Sequence, residues 1–157
     1  MKRIFSFIVL VLVGGFAFMS FADDNQIYEL KVAAERGDDI AQTNLGLYYE
    51  MGYRVKKNPD KAIYWWKKAA EQGNVVAQFN LGNCYYSGKG VKKNLKKAVY
   101  WWEKAANGGY VMSQYYLASC YENGEGVERD ISKAKYWYKK AAEKGDSEAK
   151  KVLEKLE

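Results

Sequence analysis

Residues 74–109 read NVVAQFNLGNCYYSGKGVKKNLKKAVYWWEKAANGG, and the chain repeats this text with small changes on either side. Lys67-Lys68-Ala69-Ala70 returns 36 residues later as Glu103-Lys104-Ala105-Ala106, and again as Lys139-Lys140-Ala141-Ala142. Leu45-Gly46 with Tyr49 returns as Leu81-Gly82 with Tyr85, then as Leu117-Ala118 with Tyr121. Gly52 and Val55 return as Gly88 and Val91, then as Gly124 and Val127. A fixed period between roughly 20 and 50 residues marks a solenoid, in which each unit buries its apolar face only by stacking on its neighbours. Three full units, 38–73, 74–109 and 110–145, follow from this register. Chains of this kind bind other molecules far more often than they catalyse.

Each unit is two helices. Ala77, Leu81, Cys84 and Tyr85 fall at i, i+4, i+7 and i+8, one apolar stripe of a 3.6-residue period. Gly88-Lys89-Gly90-Val91 breaks that helix. Asn94 is a good N-cap for the next one, as Asn58 and Asp130 are in the flanking units. Pro59, the only proline, follows Asn58, where its missing N–H costs nothing. The second helix carries Ala98, Trp101, Trp102, Ala105 and Ala106 on one face. Gly73, Gly109 and Gly145 then suit the left-handed residue just past a helix end.

Gly46 and Gly82 sit in the middle of first helices, where glycine costs about 1 kcal/mol against alanine. Their place there predicts close approach by a neighbouring helix, with the Ala-Ala pairs doing the same from the other side. The five tryptophans, at 65, 66, 101, 102 and 137, lie on second helices with Tyr138 completing the third pair. At helical spacing beside Ala-Ala they read as core, with an exposed edge expected on Trp66 or Trp102, since tryptophan is rarely buried completely. A ligand-stacking platform is the competing reading.

These residues resemble the Sel1-like repeat, a relative of the tetratricopeptide repeat. The pattern A-x-x-x-L-G-x-x-Y-x-x-G-x-G-V followed by K-A-x-x-W-W/Y-x-K-A-A-x-x-G is met by Ala77, Leu81, Gly82, Tyr85, Gly88, Gly90, Val91, Lys97, Ala98, Trp101, Trp102, Lys104, Ala105 and Ala106. The departures are Arg54 for the second loop glycine, Ser113 for alanine and Ala118 for glycine. The resemblance implies an all-α, right-handed α-solenoid of helix-turn-helix repeats. Polar caps are expected at both ends. Residues 24–37 look like a second helix without its first, with Glu29 where Trp65 would be, and 146–157 like a lone, heavily charged first helix.

Met1-Lys2-Arg3, the apolar run Ile4 to Phe18 and the small-x-small Ser20-Phe21-Ala22 before Asp23-Asp24 describe a signal peptide, residues 1–22. An uncleaved anchor is the rival, because the run approaches the roughly 20 residues needed to span a bilayer. The small residues and the abrupt acidic start favour cleavage, and with it a periplasmic or secreted protein. Lys2 and Arg3 are two of the 25 basic residues; the rest face 19 acidic ones, so the mature chain carries +4. Its lysines recur in pairs because the repeat recurs, which reads as a solvated convex surface rather than a nucleic-acid face; attraction to an anionic surface is the alternative.

Chemistry is sparsely supplied. With no histidine, Ser-His-Asp and Cys-His catalysis and histidine zinc sites are excluded. No metal or cofactor site is expected. Ser87-Gly88-Lys89-Gly90 lacks the upstream spacing and the following Ser or Thr of a phosphate loop, and reads as the repeat's turn. Carboxylates such as Glu50 and Glu122 remain formally available, but nothing places them in a dry cleft. Cys84 and Cys120 stand 36 apart, on equivalent sites of successive first helices. Packed helix axes lie about 8–10 Å apart, whereas a disulfide wants Cα atoms within about 7 Å. Buried free thiols are therefore expected.

In solenoids like those this chain resembles, first helices line the concave face. Their non-core positions are Ile40, Thr43, Asn44, Leu47 and Glu50; Val76, Phe79, Asn80, Asn83 and Tyr86; and Met112, Tyr115, Tyr116, Ser119 and Glu122. Phe79, Asn80, Asn83, Tyr86, Tyr115, Tyr116, Ser119 and Asn44 are the candidate partner-binding set. Rigid rings bury area at low entropy cost and amides bond to main chain, a composition suited to a protein or peptide partner. The expected function is an exported interaction module. The alternatives are a modulator or inhibitor of a cell-envelope enzyme, or a glycan-contacting protein; a solvated groove whose rings only shield the core is the plain reading.

Overall fold

The computed structural model describes residues 17–156. Among them run eight α-helices and no strand: α1 (Ala17–Glu35), α2 (Asp39–Met51), α3 (Pro59–Glu71), α4 (Val75–Ser87), α5 (Leu95–Asn107), α6 (Val111–Asn123), α7 (Ile131–Glu143) and α8 (Ser147–Leu156). The expected signal peptide falls outside the described residues as far as residue 16, and α1 continues unbroken past Ala22 and Asp23. No described helix is long and apolar enough to cross a membrane. The principal contacts join consecutive helices, hairpin by hairpin, as a solenoid requires.

Local chemistry sets the ends of these helices. Asn58, Asn94 and Asp130 each accept a hydrogen bond from the backbone N–H three residues on, at 3.0, 2.9 and 2.9 Å. A second cap series, at Asp38, Asn74 and Asp146, does the same for first helices at 2.7, 3.0 and 2.9 Å. The period would have revealed it, except that Tyr110 replaces the cap in the third copy and makes no such bond. Gly90 and Gly126 turn the loop with φ of 70° and 73°, and Arg54 adopts the same left-handed conformation at φ 56°. Arg54 Nη1 donates to Gln26 Oε1 on α1, so the residue that departs from the pattern ties the first loop to the preceding helix.

Leu45, Leu81 and Leu117 are fully buried, as are the alanines at 62, 98 and 134 and at 69, 105 and 141. The tryptophan expectation holds for the core and fails in its detail. Trp66 and Trp102 are the sealed members, 2 % and 1 % exposed, while Trp65 and Trp101 keep the open edge. The cause is the mid-helix glycine. A Cβ on Gly46 would lie 2.4 Å from Trp66 Nε1, and one on Gly82 would lie 2.3 Å from Trp102 Cδ1, so each indole lies directly against bare backbone. Trp66 Nε1 then donates to the Thr43 carbonyl at 3.1 Å, which satisfies the one polar atom the indole buries.

A second device, unforeseen from the sequence, locks unit to unit. Gln42, Gln78 and Gln114 are buried near the start of first helices, and each Nε2 donates to the carbonyl of Ala34, Ala70 or Ala106 at 2.9, 3.1 and 3.1 Å. Those carbonyls belong to the last turn of the preceding helix, where the regular i+4 donor is lost, and each also accepts from the N–H of Gly37, Gly73 or Gly109 at 3.0–3.1 Å. In the first copy Gln42 Oε1 also accepts from Gln72 Nε2 at 2.8 Å. Position 108 is glycine and position 144 is lysine, and Gln78 Oε1 and Gln114 Oε1 have no protein partner.

Candidate binding face

The first helices α4 and α6 bring most of the expected residues together, joined by rings. Tyr86 lies against Trp102 (centroids 5.4 Å apart), and Trp102 stacks on Tyr116 at 5.2 Å with 23° between planes. Tyr116 meets Phe79 at 5.8 Å, and Phe79 meets Tyr110 at 5.0 Å. From Tyr116 the run also passes to Tyr115 (5.9 Å) and Tyr138 (5.5 Å from Tyr115). Centroid separations of about 4.5–7 Å are those of stabilising aromatic pairs.

Exposure corrects the candidate set. Phe79 is only 7 % exposed, because Tyr110 and Tyr116 lie against it. It supports the surface instead of forming it, and Thr43 is likewise buried, with its hydroxyl donating to Asp39 O at 2.8 Å. Tyr86 and Tyr116 are the open rings, each 39 % exposed, with Met112 beside Tyr116 at 47 %. Asn44 is exposed, and Asn80, at the equivalent position, is half-buried with Nδ2 sealed and without a protein partner. Asn83 has a structural task, its Oδ1 accepting from Trp102 Nε1 at 3.2 Å. The Ser119 hydroxyl and carbonyl accept from Asn123 Nδ2 at 3.3 and 3.0 Å.

Sequence reasoning missed Tyr110, Glu125, Asp146 and Glu148. Tyr110 had a visible signal, an aromatic where the two earlier copies carry a cap. The carboxylates had none, because they come from a loop and from α8. The Glu125 carboxylate repels a Tyr86 phenolate and accepts from the neutral phenol, and both effects raise the Tyr86 pKa. Tyr138 OH donates to Glu122 Oε2 at 2.8 Å, and burial followed by that carboxylate pushes the phenol well above its ordinary value. Asp146 and Glu148 close a hollow of about 190 Å³ with Met112, Tyr115 and Tyr116.

Charge is sorted by element. On second helices Lys61, Lys97 and Lys133 lie 5.3, 5.3 and 5.1 Å from the ring centroids of Tyr49, Tyr85 and Tyr121. Lys68, Lys104 and Lys140 sit 4.9, 5.2 and 5.2 Å over Tyr64, Tyr100 and Tyr136. The periodic lysines are thus laid on the protein's own rings. Glu50 pairs with Lys89 at 2.8 Å, so Glu50 and Glu122 have separate partners. Cys84 and Cys120 are free and buried. Burial raises the Cys84 thiol from 9.0 to about 11, with Glu50 adding and Lys89 opposing. Burial, with Glu125 behind it, takes Cys120 to about 12. Among the described residues no group of three His, Cys, Asp or Glu side chains is placed to hold a metal ion.

Stacked helical hairpins, each packed on the next, define an α-solenoid. The Sel1 repeat model matches residues 39–74, 75–110 and 111–146, and the chain belongs to the Sel1 repeat family. The crystal structure of a Sel1 repeat protein from Oxalobacter formigenes is 42 % identical with a TM-score of 0.79, covering 83 % of this chain and 98 % of that one. A protective antigen present in uropathogenic Escherichia coli strains, displaying the same repeat fold, is 40 % identical with a TM-score of 0.75. That match covers 76 % of this chain and 26 % of the antigen. Helicobacter pylori cysteine rich protein B, 23 % identical with a TM-score of 0.66 over 84 % of this chain and 95 % of its own, shares the fold. Among curated protein sequences none matches this chain. Sel1 repeat proteins commonly act as protein-interaction modules, and their fold is typically a non-catalytic scaffold.

Proposed function

We propose that this chain is an exported, non-catalytic adaptor that binds a protein or peptide, and not nucleic acid, on the concave face formed by α2, α4 and α6. The observation that carries this reading is the continuous ring run from Tyr86 through Trp102 and Tyr116 to Phe79 and Tyr110, of which Tyr86 and Tyr116 stay open. Their inner faces are already held by Trp102, so a partner would meet rings that have little freedom left to lose.

The test is a pull-down with the purified protein and its Tyr86→Ala/Tyr116→Ala variant. These two rings are chosen because removing the buried Phe79 would disturb folding. The native protein should recover a partner that the variant loses at least tenfold; equal recovery would sink the concave-face reading. Recovery that survives molar salt supports ring and main-chain contact, whereas collapse at high salt favours attraction to anionic wall polymers. For export, N-terminal sequencing of the protein from its host should begin at Asp23. Retention of Met1 to Ala22 in the envelope fraction would overturn cleavage.

A further inference from the structure

We infer that the hollow between α6 and α8 receives a lysine or arginine side chain of the partner, so the bound segment is basic; this rests on the concave-face reading above. The hollow measures about 190 Å³ and is lined by Met112, Tyr115, Tyr116, Asp146 and Glu148. Drug-sized ligands occupy pockets of roughly 300–1,000 Å³, so the space suits one side chain and not a free metabolite. Its walls match an amphipathic cation in both halves. The Met112 thioether and two tyrosine rings can cover an aliphatic stem, while the carboxylates stand where the charged head would end.

The protein itself shows that its tyrosines take such groups. Six second-helix lysines lie 4.9 to 5.3 Å from tyrosine centroids, and Lys93 lies 5.5 Å from Tyr86. Among the described residues no cation of the chain sits in this way over Tyr115 or Tyr116. Those two rings, beside two carboxylates, are where an external cation fits.

Two internal competitors are weaker than the site. The N-terminus of α8 carries roughly half a positive charge, but Asp146 Oδ1 already accepts from Ala149 N at 2.9 Å, capping that end. Lys151 pairs with Glu148 Oε1 at 2.7 Å with both side chains 64 % exposed, a surface pair that is readily exchanged. The rest of this face adds attraction. Glu125 lies by Tyr86, and Glu122, a half-buried residue, accepts from Tyr138 OH.

The experiment is an amide-shift titration of the 15N-labelled protein with three tetrapeptides, acetyl-Gly-Leu-Lys-Gly-amide, its Nε-acetyl-lysine form and its glutamate form. The lysine peptide should move the amides of Met112, Tyr115, Tyr116 and Glu148, and bind at least tenfold more tightly than the other two. Asp146→Asn/Glu148→Gln, which keeps an N-cap at 146, should weaken it at least fivefold, as should Tyr116→Ala. Equal binding of the charged and acetylated peptides overturns the inference and leaves the concave-face reading standing. So do shifts confined to α2 and α4. No shift with any peptide at millimolar concentration also overturns it, and the concave-face reading is then judged by the pull-down alone.

Discussion

Trp102 lies so close to Gly82 that a methyl group there would stand 2.3 Å from both Cδ1 and Nε1 of the indole. The same relation joins Trp66 to Gly46, and in the third copy Ala118 stands in the glycine's place while Tyr138 stands in the tryptophan's. The departure at Ala118 and the tyrosine the pattern allows at 138 are thus one compensated change. The smaller ring makes room for the methyl, and its hydroxyl finds Glu122 instead of the partner the indole N–H has.

Gly82→Ala should therefore destabilise the protein, although alanine gains about 1 kcal/mol in helix propensity. Overpacking of this kind costs about 1–3 kcal/mol. Trp102→Tyr alone should also destabilise, by leaving space beside Gly82. The double variant should be more stable than the two losses predict. Urea unfolding in a double-mutant cycle measures the difference, and strict additivity would refute the compensation.

Each glutamine of the inter-unit lock adds a second donor to a helix-end carbonyl that also accepts from the N–H of the glycine three residues on. Gln78→Ala should cost about 1–2 kcal/mol. Gln42→Ala should cost slightly more, since it also removes the 2.8 Å bond from Gln72 Nε2 and leaves that donor only the longer contact to Lys68 O at 3.4 Å. Denaturant midpoints at matched m-values rank the two; a larger loss at 78 would contradict the geometry.

Ser113 is fully buried at the position held by Ala77 in the second copy, and its Oγ has no protein partner. Ser113→Ala should raise stability by about 1 kcal/mol, because it removes a desolvated hydroxyl without opening a cavity of consequence. Thermal and urea unfolding should agree, and a loss of stability would mean the hydroxyl is satisfied.

The thiols should be quiet. With Cys84 raised from 9.0 to about 11, its thiolate fraction near pH 8 falls about 100-fold, so native alkylation should be at least that much slower than in urea. Folding holds these protons more tightly than the unfolded chain does. The associated stability is present below about pH 9 and is lost as pH rises toward 11 and 12. Cys84→Ala/Cys120→Ala should flatten the alkaline limb of a stability–pH curve; an unchanged slope would refute the link.

Much of the fold was legible because its causes are short-range. Asn58, Asn94 and Asp130 cap helices by reaching three residues along the chain, and Pro59 opens α3 because no donor is needed there. Leu81, Ala98 and Ala105 are buried where a 3.6-residue stripe places them. The period supplied the rest, since three copies of one solution make each local signal count three times.

The binding face was legible only as a set of helix positions. Sequence periodicity put Phe79 and Tyr116 on the same helical face, but burial under Tyr110 withdrew the first and left the second open. Nothing in the spacing could seal Trp66 and leave Trp65 ajar, because that depends on which indole meets the bare backbone of a glycine 20 residues before it. Nor could it bring Asp146 and Glu148 to Met112, Tyr115 and Tyr116, a contact made only once α8 docks. The sequence by itself determined where the helices start, turn and stack, since those interactions act along the chain. The tertiary structure decided which rings and charges face outward, because exposure depends on neighbours that the sequence keeps far apart.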